Sequence, residues 1–108
     1  PIAKSAFSAY REPEFLLAFK KTSRSQVLLM GIEAHVCVFQ TGMDLLDSGF
    51  LVHVLSDGVF SRTAENHDLA LHRLHEAGAT LTSVEIVLFE LIRTSKHPSF
   101  RRISQLVK

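Results

Sequence analysis

The segment Val27-Leu28-Leu29-Met30-Gly31-Ile32-Glu33-Ala34-His35-Val36-Cys37-Val38-Phe39-Gln40-Thr41 changes its hydrophobic period partway along. Its first four residues form an unbroken apolar run closed by glycine, the pattern of a short strand buried on both faces. From Ala34 to Asp47 the period becomes helical. Val36, Phe39, Met43 and Leu46 share one line, and Gln40, Asp44 and Asp47 lie off it. A buried strand that runs into a helix is the repeating unit of parallel sheets.

The same alternation continues on both sides. Upstream, residues 1–10 read as a loop, and Glu12-Pro13-Glu14 opens a helix with Phe15, Leu16, Ala18 and Phe19 as its apolar face. Proline fits a first helical turn, and acidic residues there meet the positive end of the helix dipole. Downstream, Leu51–Leu55 reads as a second strand, followed by a polar turn at Ser56-Asp57-Gly58. Thr63 caps a helix reaching about Ala77, and Ala79–Leu81 is a brief third strand. Thr82-Ser83-Val84-Glu85 fits a capping box for the next helix, and Pro98 starts a short last one. Three strands separated by helices predict a parallel, Rossmann-like α/β/α arrangement with right-handed crossovers, all in one domain spanning 1–108. Val27–Met30 would then be an edge strand with an apolar border, so further strands are expected upstream of Pro1.

Composition excludes several classes of function. The 108 residues are 46% hydrophobic and 21% charged with a net charge of +1, which suits one globular core and not a dedicated nucleic-acid binder. No apolar run approaches the roughly 20 residues that cross a bilayer, so no membrane partner is expected. A single cysteine excludes an internal disulfide and a multi-cysteine metal knot.

Cys37 nevertheless stands in a special place. In open parallel sheets, active sites lie beyond the carboxyl ends of the strands. Cys37 falls in the first turns of the helix that follows such a strand, where free N–H groups and the dipole favour an anion. The thiolate is the reactive form of cysteine.

Gly31-Ile32-Glu33-Ala34-His35-Val36-Cys37-Val38, followed by Thr41, resembles the nucleophile motif of the isochorismatase-like cysteine hydrolases. Lys4-Ser5-Ala6-Phe7-Ser8-Ala9-Tyr10 is similar to the element that supplies the catalytic lysine of that superfamily. Asp57-Gly58-Val59-Phe60-Ser61-Arg62 resembles its turn after the next strand, and His97–Phe100 with Leu106–Lys108 resembles the tail of the isochorismatase-domain-containing subgroup. The resemblance implies a wider parallel sheet with helices on both sides and an Asp-Lys-Cys triad. Lys4 and Cys37 carry over residue by residue. The aspartate does not: in the family it ends the first strand, and Asp44, Asp47 and Asp57 do not match that pattern. The resemblance also implies a cis peptide at Ile32-Glu33 and an oxyanion hole from the N–H groups of Glu33 and Cys37.

Other positions admit plainer readings. His35 either lines the pocket or covers the helix start. Phe7 and Tyr10 are pocket walls or, more simply, core. Thr41 is expected to bond back within its helix and support the site, and Asp57 and Arg62 to pair across their turn. His67, His72 and His75 share a helix without a third metal ligand in view, so no metal and no cofactor are expected.

The function expected is hydrolysis of a small-molecule amide or a related C–N or ether bond by Cys37, in a homo-oligomer inside the cell, cytoplasmic or mitochondrial. Two alternatives stand beside it: a non-catalytic oligomerisation module, and a mitochondrial ribonuclease-like member of the superfamily, for which the near-neutral charge gives little support.

Overall fold

A computed structural model describes all 108 residues. A loop containing a short 3₁₀ turn (Ala9–Arg11) leads into helix α1, Pro13–Lys21. Strand β1 is Gln26–Ile32. It runs into a π-helical turn, Ala34–Val38, that continues as α2, Phe39–Asp47. Then follow β2 (Leu51–Phe60), α3 (Ala64–Glu76), β3 (Thr80–Thr82), α4 (Val84–Ile92) and α5 (Phe100–Leu106). The strands form one parallel sheet in the order β1-β2-β3, so β1 and β3 are its edges. No helix is long and apolar enough to cross a membrane.

Strand register sorts the side chains onto two faces. Val27 pairs with Val52 and Leu29 with Val54, and these residues join Leu45, Ala70, Leu71 and Leu74 in the core beneath α2 and α3. Leu28, Met30 and Ile32 alternate onto the opposite face and are exposed. The expectation that β1 is buried on both faces is thus corrected. Its composition is that of a two-sided strand, but α2 and α3 cover one side only, and the other carries bare hydrocarbon. Farther across that second face Leu55 and Thr82 are buried where α4 packs on β2, and α5 is tied to α4 through Phe89 and Phe100.

The expected turn at Ser56-Asp57-Gly58 is instead a bulge inside a longer strand. Leu29 pairs with Val54 but Gly31 with Val59, so β2 passes four residues while β1 passes one. The polar groups of the bulge are satisfied by neighbours: Ser56 Oγ donates to Thr82 O at 3.0 Å, and Asp57 Oδ1 accepts from Val84 N at 2.9 Å. Gly58 is closely approached here: a Cβ would lie 3.0 Å from that of Leu55 and 3.4 Å from that of Met30. Asp57 and Ser83 thus share the N-terminus of α4. Ser83 accepts from Ile86 N at 3.2 Å, while Thr82 stays in β3, so the cap lies one residue later than the capping box predicts. The Thr63 cap of α3 forms as expected, accepting from Asn66 N.

Helix α2 approaches the core closely at Gly42. A Cβ there would stand 2.7 Å from Leu74 Cδ2 and 3.3 Å from Leu29 Cδ2. Leu74 is fully buried and has little freedom to move aside. Gly42→Ala should therefore destabilise the fold by about 1–3 kcal/mol through overpacking, despite the better helix propensity of alanine. A denaturant midpoint unchanged or raised by this substitution would contradict the packing described.

Candidate active site

The turn after β1 presents Cys37. The Ile32-Glu33 peptide is cis, and the N–H groups of Val36 and Val38 both donate to Glu33 O, at 3.1 and 3.2 Å. The second of these bonds spans five residues and gives the turn its wider π-helical winding. Cys37 sits in this turn half-buried, with Ala34 and Val38 anchored in the core.

The N-terminal loop brings Lys4 to it. Lys4 Nζ lies 3.3 Å from Cys37 Sγ and donates also to Ala6 O and Phe7 O, both at 3.1 Å. An ammonium has three N–H donors, and here all three have acceptors. Both groups border a hollow of about 350 Å³ with a mostly apolar lining that includes Phe15, Phe19, Met30 and Ile32. Lys4 and Cys37 are its only ionisable lining groups. A thiol beside an ammonium on an apolar wall is an arrangement that can receive a small electrophile and hold negative charge beside it.

Two braces hold the cysteine turn. Glu33 Oε2 accepts from the backbone N–H of Arg62 at 3.1 Å and from its Nε at 3.0 Å. His35 Nδ1 lies 2.9 Å from Ser61 Oγ, a nearly buried hydroxyl. The expected pairing of Arg62 with Asp57 is therefore corrected. Asp57 is engaged with α4, and the carboxylate Arg62 meets is that of Glu33, 29 positions away. His35 stands at the start of the cysteine turn, bonded to Ser61. Its ring borders a separate small groove with Phe39, Asn66 and Arg73, not the hollow beside Cys37.

The remaining expectations divide. Tyr10 packs edge-on against Phe19 and Phe50 as part of the core periphery. Phe7 is neither core nor wall. Its carbonyl is held by Lys4, and its ring is 58% exposed. Thr41 bonds across the chain and not back along its helix: Oγ1 accepts from Ala9 N at 2.9 Å and so fastens the lysine loop to α2. No three His, Cys, Asp or Glu side chains come together as a metal site, and His72 pairs with Glu76 one turn on. Glu12, expected as a helix-start acid, has a second role in the structure. Its carboxylate turns back to accept from Ser5 N at 2.8 Å and Ala6 N at 2.7 Å. The one hint was that glutamate is a poor N-cap, leaving its side chain free for other partners.

These contacts set an acid limit. The Ala6 and Ser5 N–H groups hold the Glu12 carboxyl below its ordinary value of 4.5, and the Arg62 backbone N–H, ahead of its guanidinium, does the same for Glu33. Both groups bind their protons less readily in the fold than in the open chain. Their contribution is complete above the ordinary carboxyl value and is lost as pH falls through the lowered one. Denaturant midpoints should decline as pH falls below about 4.5, less steeply in Glu33→Gln. An equal acid decline in that variant would remove Glu33 from the account.

The three parallel strands and their crossover helices define an α/β protein, with the cysteine turn at the carboxyl end of β1. The isochorismatase domain profile matches residues 1–86, and the chain belongs to that family. It is 48% identical over 97 residues to the secreted isochorismatase effector Isc1 of Phytophthora sojae, covering 90% of this chain and 46% of the relative. It is 40% identical over 108 residues to the isochorismatase domain-containing protein 2 of Bos taurus, covering 100% of this chain and 52% of that protein. Among solved structures, one described as a MAR1 ribonuclease from Caenorhabditis elegans superposes with a TM-score of 0.84 at 40% identity, covering 96% of this chain and 53% of that one. The chain thus spans about half the length of the relatives it matches.

Proposed function

We propose that these residues form the cysteine–lysine part of the active site of a hydrolase acting on a small-molecule amide or a related C–N or ether bond. The observation that carries this reading is the 3.3 Å approach of Lys4 Nζ to Cys37 Sγ beside an apolar hollow. An ammonium at that distance is complementary to a thiolate, which is the nucleophilic form. For an amide, Sγ attacks the carbonyl carbon, and the carbonyl π pair moves onto oxygen, where the N–H groups of Glu33 and Cys37 receive it. Collapse re-forms the carbonyl and breaks the C–N bond, and the amine departs with a proton. Water then cleaves the thioester and restores the thiolate.

The proton is carried in this scheme by a carboxylate from outside these 108 residues. Asp44 is paired with Arg11 and Asp57 with α4, so neither is placed for it. The bare face of Leu28, Met30 and Ile32 on an edge strand calls for a covering surface, supplied in this reading by further strands of the same sheet, with self-association as a separate part of the proposal.

A second reading, cleavage of RNA, is favoured by one observation, the description of the similar Caenorhabditis elegans structure as a ribonuclease. A panel of small amides and a single-stranded RNA, each offered to the protein and to Cys37→Ala, separates the two. Amide hydrolysis that disappears in the variant supports the first reading. RNA cleavage that disappears with it, without amide turnover, replaces the first by the second. Activity on neither substrate contradicts both.

A further inference from the structure

We infer that Glu12 is a positioning residue for Lys4, its carboxylate holding the loop that presents the ammonium to Cys37. This rests on the hydrolase reading above. The loop from Lys4 to Ala9 has no sheet or helix to shape it before its short 3₁₀ turn, so its conformation must come from discrete contacts. Glu12 Oε1 takes the N–H groups of Ser5 and Ala6, and Lys4 Nζ in turn donates to the carbonyls of Ala6 and Phe7. Ala6 is therefore gripped from both sides, its N–H by Glu12 and its C=O by Lys4. At the far end Thr41, one helical turn beyond Cys37, accepts from Ala9 N. The ammonium is thus placed by a loop pinned at two points, and Glu12 is the pin nearer to it.

The helix has no competing claim on this carboxylate. Glu12 occupies the N-cap of α1 but makes no side-chain cap bond. Charge-assisted bonds from two backbone N–H groups to one carboxylate are among the stronger local ties available. Without them Ser5 and Ala6 can turn to water, and the lysine is free to leave the sulfur.

The test is the rate at which Cys37 is alkylated by iodoacetamide at neutral pH, followed by peptide mass spectrometry in the full-length protein, in a double-mutant cycle with Lys4→Met. Glu12→Ala should slow labelling about fivefold in the parent and have almost no effect in the Lys4→Met background, since a residue acting through Lys4 has nothing to position there. Parental labelling in Glu12→Ala, or the same slowing in both backgrounds, overturns the inference, the latter by making the effect merely structural. The hydrolase reading fails separately, when Lys4→Met itself labels at the parental rate. Should Glu12→Ala not fold, two closer variants decide. Glu12→Gln keeps an acceptor oxygen at full reach, and Glu12→Asp keeps the charge but falls one methylene short. Faster labelling in Glu12→Gln than in Glu12→Asp supports the assignment, and the opposite order overturns it.

Discussion

Replacement of Cys37 by alanine should lower hydrolysis by about 10⁴-fold or more, on the scale seen when a covalent nucleophile is deleted from a catalytic unit. That factor corresponds to about 5.5 kcal/mol of transition-state stabilisation. The residue makes a clean test because its structural contribution is small. The turn that carries it is anchored by Ala34 and Val38 in the core and by Glu33 and His35 at Arg62 and Ser61, none of which the substitution touches. Cys37 itself is half-buried on the wall of a hollow. Turnover measured beside a denaturant midpoint should therefore show a collapse of the first and little change in the second. Undiminished turnover in Cys37→Ala would transfer the chemistry to another group.

The largest effect on stability is expected from Leu74→Ala, which should cost about 3–5 kcal/mol. Leu74 is fully buried and fills the space that Gly42 leaves open on α2, where no Cβ stands between the two helices. The glycine that admits Leu74 cannot spread into the void it would leave, so the cavity stays largely unfilled. Set against a typical domain stability of about 5–15 kcal/mol, the loss is a large share. Leu28→Ala provides the contrast, because that side chain lies on the uncovered face of β1 at 46% exposure and should cost well under half as much. Urea titrations of the two variants read this difference directly. Equal costs would mean that the second face of β1 is packed as tightly as the first.

Which features were legible in sequence follows from how far their causes reach along the chain. The change from strand to helix at Gly31–Ala34 and the cap at Thr63 depend on residues within a turn of one another, and both stand where the pattern places them. The bulge at Ser56–Gly58 looked like a turn because its polar residues suit one. Its actual form depends on Thr82 and Val84, about 26 positions away, which absorb those polar groups. Arg62 likewise had a nearby acid in Asp57, but the fold sets Glu33 beside it instead. Local spacing favours the near partner, and only the parallel pairing of β1 with β2 reveals the distant one.

The site shows the same division. Lys4 and Cys37, 33 positions apart, were associated by the resemblance of their motifs and not by any spacing rule, and the fold brings them to 3.3 Å. An aromatic ring suggests burial, but the Phe7 ring is exposed and it is the carbonyl that the loop uses. Glu12 carried no signal beyond its place before Pro13, since a bend that returns a carboxylate to residues six and seven positions earlier has no periodic signature.

The proposed hydrolase site rests on the ammonium of Lys4 standing 3.3 Å from the sulfur of Cys37. Its most direct measurement is the rate of Cys37 alkylation by iodoacetamide at pH 7 in the parent and in Lys4→Met, which keeps a long side chain but removes the charge. Slowing by about tenfold, the equivalent of roughly 1.4 kcal/mol, is the predicted result. Equal rates in the two proteins would contradict it.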